Sequence, residues 1–202
     1  MRRSPLALYA RSRGLPGSLA AFVVAAGAVW STRWLVPLPE ADPTARLLAV
    51  VLAPLFVAGT IGTGLHAPSE ELDRTAVRAW WPRRLAHLLV VTALGAALLA
   101  LAVPGAAEAC GAPAAVRNTL GLVGTAAAAA AVLGARLSWL PPLLYVGAVS
   151  LAFRAGPPAV ANWWGWLVQP GTAGGAWTAA AVAFAAGTTL YARRGARWGR
   201  GT

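Results

Sequence analysis

Few residues of this 202-residue chain carry the atoms that reactions need. Its six carboxylates fall into two sets, Glu40, Asp42 and Glu108 in one and Glu70, Glu71 and Asp73 in the other. The two histidines, His66 and His87, stand at either end of the segment that holds the second set. Two ligands with no third candidate make a poor metal site. Cys110 is the single cysteine, which excludes an intrachain disulfide. The basic residues are seventeen arginines and no lysine, so a phosphate loop, which needs a lysine, is absent and nucleotide hydrolysis by that route with it. Neither His-Glu-x-x-His nor Gly-x-Ser-x-Gly occurs. No acid lies inside a long apolar block. A nucleophile–base pair therefore cannot be assembled from the blocks, nor can the buried ionisable site of an ion-coupled carrier. The expectation is a protein that is no enzyme and holds no cofactor or metal. Energy for any transport has to come from another subunit.

The strongest functional segment is 66–84. Ser69 is placed to cap a short helix that begins at Glu70 and Glu71, with the acids in its first turn, where the helix dipole favours them. Glu70 and Arg74 are four apart in the favoured order for an ion pair. Leu72, Ala76, Ala79 and Trp80 recur on one face. The segment predicts an amphipathic helix with a charged side, followed by Trp80-Trp81-Pro82-Arg83-Arg84. One reading is an interfacial helix with an aromatic and arginine anchor. The sharper reading is a docking helix for a cytoplasmic partner. A second cluster, Trp163, Trp164 and Trp166, lies between Pro157-Pro158 and Pro170-Gly171. It reads either as an interfacial belt or as a re-entrant turn lining an outer gate, which requires the turn to be buried in protein.

The elements that position these residues are apolar blocks. The chain is 58% hydrophobic and 11% charged, less than half the charge usual in a soluble domain. Six segments qualify as membrane spans: 17–36, 45–65, 85–104, 115–135, 138–155 and 174–192. Each is long enough to cross, or nearly cross, ~30 Å of hydrocarbon. The first follows four arginines and resembles a signal peptide, but it continues past Arg33 into Trp34-Leu35-Val36, so an uncleaved span is expected. Pro141-Pro142 suit the start of the fifth. The tract Ala126 to Ala131 makes the fourth a poor lipid anchor, and it is expected inside a bundle. Small residues four apart, Ala58 with Gly62 and Thr60 with Gly64, allow close packing, as do Gly121 and Gly124.

Arginine gives the orientation. With the N-terminus inside, thirteen of the seventeen fall on the inner side and four, Arg33, Arg46, Arg117 and Arg154, on the outer. The net charge of +11 thus reads as membrane orientation rather than nucleic-acid binding, since no basic stripe interleaves with stacking aromatics. The predicted fold is all-α: a single polytopic membrane domain, 1–202, with six transmembrane helices and both termini cytoplasmic, in the plasma membrane.

This layout resembles type-2 ABC transporter permeases. The resemblance rests on the six spans, the charged loop after the second, and the bent external stretch before the sixth. His66-Ala67-Pro68-Ser69-Glu70-Glu71-Leu72-Asp73-Arg74-Thr75 is similar to the loop of permease-like membrane proteins of actinobacteria. Asn118-Thr119-Leu120-Gly121-Leu122 and Gly134-Ala135-Arg136-Leu137-Ser138-Trp139-Leu140-Pro141-Pro142 are similar as well. The resemblance implies an exporter subunit whose coupling helix, here Glu70, Glu71, Asp73 and Arg74, sits on a separate ATP-binding cassette subunit. It also implies a second permease chain, as a homo- or heterodimer. The alternative is a non-transporting membrane scaffold or regulatory protein.

Overall fold

The computed structural model describes residues 22–23, 27, 43–65, 81–103, 111–154 and 164–197. The side chains of 43–49 and 153–154 are not included in that description. These residues form helices and the turns that join them, with no strand among them. Five helices follow in order: α1, Pro43–Gly64; α2, Trp81–Ala102; α3, Ala112–Leu133; α4, Leu140–Arg154; and α5, Gly174–Arg194. Short 3-10 turns occupy Ala135–Leu137 and Trp166–Val168. None of the five carries an aspartate or glutamate. Two of them, α2 and α3, are long and apolar enough to cross a bilayer.

Helix α3 is the hub, packed against each of the other four and most extensively against α5. Its sequence explains why. Pro113 sits in the first turn, where its missing N–H costs nothing. The alanine tract that follows offers no bulk to hold neighbours away, and Ala126, Ala127 and Ala130 are fully buried. Gly124 faces Gly187 across the α3–α5 contact so closely that a Cβ at either would overlap the other helix's backbone. Backbone meets backbone there, which is the close approach that small residues permit. On the α1 side, Gly62 lies against Ser138 and Ala126, and Gly95 of α2 admits Val57, with Phe22 beside it.

The contacts fix the sense of each helix. Val50 meets Asn118 near the starts of α1 and α3, so these two run parallel. Pro170 meets Arg117 before α5, and beyond it the N–H of Arg197 bonds to Ala130 O near the end of α3 (2.9 Å). Helix α5 therefore runs parallel to α3, start beside start and end beside end. The nine residues between α2 and α3 could span the ~33 Å of a 22-residue helix only if almost fully stretched, and short links of this kind join antiparallel neighbours. Helix α2 therefore runs opposite to α3, and so does α4 after its short link. One end of the bundle consequently gathers Arg83, Arg84, Arg136, Arg193, Arg194 and Arg197. At the other end, Arg117 is the one arginine whose side chain is described.

The outward faces are apolar. Val90 is 66% exposed, Leu101 74% and Leu151 71%, with Leu89, Leu94, Leu144, Phe56 and Val182 also outward. The interior instead holds Arg117, Asn118, Thr119, Thr92, Thr188 and Ser138. The buried hydroxyls are satisfied locally: Thr92, Thr119 and Thr188 each donate to the carbonyl four residues back, at 2.6–2.8 Å. Ser138 donates to Ala135 O at 2.8 Å.

Candidate functional site

Three consecutive polar residues, Arg117-Asn118-Thr119, lie in the second turn of α3 and the start of its third and are wholly buried. The geometry begins with a proline. Pro54 lies inside α1, and with no N–H it cannot serve the carbonyl of Val50 four residues earlier. A carbonyl stranded in an apolar interior costs about 1–3 kcal/mol. Asn118 supplies the missing donor: its Nδ2 donates to Val50 O at 3.0 Å. The same amide nitrogen donates to Leu167 O at 2.9 Å. Its Oδ1 accepts from Arg117 Nε at 3.2 Å. One side-chain amide thereby joins α1, α3 and the segment before α5.

Arg117 completes the joint. Its Nη1 donates to Pro170 O at 2.7 Å and its Nη2 to Gln169 O at 2.8 Å. The planar guanidinium suits two successive carbonyls, and charge-assisted bonds of this kind are the strong ones. These bonds hold the segment 164–173, which we term the strap. Trp166 and Leu167 of the strap are buried, at 6% and 1% exposure. The Trp166 indole fills the space that Gly121 leaves on α3, where any Cβ would collide with the ring. It also stacks on Tyr145 of α4, with ring centroids 5.7 Å apart. The Tyr145 hydroxyl donates to Trp164 O, and Trp177 Nε1 of α5 donates to Gly171 O at 2.8 Å. Five strap carbonyls, those of Trp164, Leu167, Gln169, Pro170 and Gly171, thus accept from side chains of α3, α4 and α5.

Of the residues singled out in the sequence, Trp166 is a core residue wedged between α3 and α4, and Trp164 is half-buried beside Tyr145. Trp163 lies outside the described residues, as do Glu70, Glu71, Asp73 and Arg74 and nearly all of 17–36. What the described part contributes to the 66–84 segment is its frame: α1 ends and α2 begins at the arginine-rich end. Trp81, Pro82, Arg83 and Arg84 form the first turn of α2. Arg117, weighed in the sequence as one outer-flank charge, is instead the best-buried large side chain described. A signal for it was present: three polar residues in a row inside an apolar block, with a proline inside the block of α1.

No protein-family description, no curated protein and no solved structure matches this chain.

Proposed function

We propose that the chain is a multi-pass integral protein of the plasma membrane, with 17–36 and the five helices as six spans and the arginine-rich end in the cytoplasm. The observation that carries this reading is the reversal of polarity across the bundle. Leucine and valine face outward on α1, α2, α4 and α5 while an arginine, an asparagine and three threonines are enclosed. Water favours the opposite arrangement, and lipid favours this one, because polar groups in hydrocarbon must find their partners inside the protein. The six arginines gathered at one end agree with a cytoplasmic face there.

Within that frame, the chain serves as the membrane subunit of an ATP-driven exporter, coupled through 66–84 to a separate ATP-binding subunit. Support comes from the resemblance of the layout and from the position of the charged segment, which joins α1 to α2 at the arginine-rich end. It also comes from five helices free of carboxylates, which leave ion coupling without a site. The tight α3–α5 packing favours a path between two chains over one within a single bundle. The same packing also favours the second reading, a non-transporting scaffold whose rigid core presents the 66–84 segment to a partner. Purification of the tagged protein from native membranes separates the two. An exporter subunit brings down an ATPase, and Glu70→Ala with Arg74→Ala abolishes that capture. A scaffold brings down a different protein through the same residues. Capture unchanged by the double variant sinks both.

A further inference from the structure

We infer that the 164–173 strap is a latched lid at the end of the bundle opposite the arginines, held shut by Asn118, Arg117 and Tyr145. The inference rests on the membrane reading above. A helix satisfies its own backbone and cannot open without unfolding. The strap is different, because its carbonyls at Trp164, Leu167, Gln169, Pro170 and Gly171 accept from side chains belonging to other elements. Those bonds can be exchanged for water while all five helices stay intact.

Two further features make the change two-state. Asn118 lies about 9 Å along α3 and Gly121, against which Trp166 rests, about 14 Å along it. At such depths a non-helical backbone is tolerated only when enclosed by protein or facing a water-filled space. The strap is therefore either fully latched or fully withdrawn to water, because a half-released carbonyl in hydrocarbon has no partner. Its ends supply the pivots: Gly165 on one side, Pro170-Gly171 and Gly174-Gly175 on the other. Withdrawal removes Trp166 from the notch at Gly121 and Leu167 from the core. It opens a recess framed by α1, α3 and α4 whose floor carries Asn118 and Arg117. The latch also reaches α1 through the carbonyl that Pro54 frees, and α1 leads directly to the 66–84 segment. A shift of α1 at Pro54 therefore alters the bond that holds the strap.

The test is thiol labelling of the full chain in phospholipid nanodiscs, with Cys110→Ser as background and a water-soluble maleimide as probe. Leu167→Cys reports the strap and Ala126→Cys, at a fully buried site of α3, reports the bundle. With the latch intact, both label slowly. Asn118→Ala raises the rate at 167 about tenfold, as the net worth of one or two such bonds implies, and leaves 126 unchanged. Tyr145→Phe, which removes a single hydroxyl, raises the rate at 167 by a smaller factor. Unchanged labelling at 167 in both variants overturns the latch. A parallel rise at 126 overturns it too, since the bundle then loosens as a whole and the strap is no separate moving part. No ATPase or cargo enters the measurement, so failure of the lid leaves the exporter reading standing. A chain that stays soluble and enters no disc refutes the membrane reading, and the lid with it.

Discussion

Gly124→Ala adds one methyl where α3 and α5 touch, and the cost follows from what that methyl meets. The added Cβ would fall inside the van der Waals envelope of Ala183 O and the Phe184 Cα. These are backbone atoms, so no rotamer change relieves the overlap. The helices have to part by about 1 Å, given a normal carbon–carbon separation of ~3.5–4.0 Å. Parting them along the most extensive contact in the bundle loosens Ala127 and Ala130 on one side and Ala176 and Ala180 on the other, all buried. Overpacking costs about 1–3 kcal/mol, and a backbone-on-backbone clash belongs at the upper end. The expected loss is ~2–3 kcal/mol, a factor of roughly 30–150 in the folded-to-unfolded ratio. Reversible unfolding in mixed micelles, followed by circular dichroism, measures it. Gly147→Ala is the control: Gly147 lies in α4 with nothing within 4 Å of its added Cβ. Its replacement gains up to about 0.5–1 kcal/mol in helix propensity. If Gly124→Ala is as harmless as Gly147→Ala, the helices are not in backbone contact and the account of α3 as the hub is wrong.

Two further outcomes are expected. Val90→Arg, near the middle of the outward face of α2, costs ~2.5–3.5 kcal/mol of insertion if that face meets lipid; measured in a membrane-insertion assay, a cost near zero refutes a lipid-facing α2. In a double-mutant cycle, Asn118→Ala is about 1 kcal/mol less damaging in a Pro54→Ala background, because alanine gives Val50 O an N–H of its own. Strict additivity of the two unfolding free energies contradicts the bond between them.

The helices were legible from apolar block length and punctuation. The spans read at 45–65, 85–104, 115–135, 138–155 and 174–192 correspond to α1–α5 within a few residues, because prolines and glycines mark the ends of these blocks. Pro141-Pro142 stand in the first turn of α4 as their chemistry requires. The alanine tract was readable as an interior surface because it lacks the bulk that anchors a helix in lipid. Two of the five, α2 and α3, meet the length and hydropathy of a bilayer span outright; that the other three span as well belongs to the proposal. The latch was much less legible. Arg117 bonds to residues 52 and 53 positions away, and Asn118 to one 68 positions before it. No local period encodes such pairings. An arginine five residues into an apolar block looks the same whether it snorkels to the surface or turns inward, and only the carbonyls of the strap decide between the two. The local clues were the polar run Arg117-Asn118-Thr119 itself and Pro54, since a proline inside a helix leaves a carbonyl that something must answer.

The distance in sequence between Arg117 and its carbonyl partners also has a consequence in time. When α3 leaves the ribosome, the strap does not yet exist. At ~5–20 residues per second, the 53 residues that separate Arg117 from Pro170 take roughly 3–10 s to make. On the membrane reading proposed above, the guanidinium has during that interval the adjacent Asn118 Oδ1 and the water and lipid headgroups within reach of its long side chain. Its position in the second turn of α3, rather than mid-helix, makes that wait tolerable. On that reading the central helix is threaded before its own partners are synthesised, and the bundle closes around it from the C-terminal side. A nascent chain halted before the strap keeps Arg117 at the surface and α3 short of its final depth.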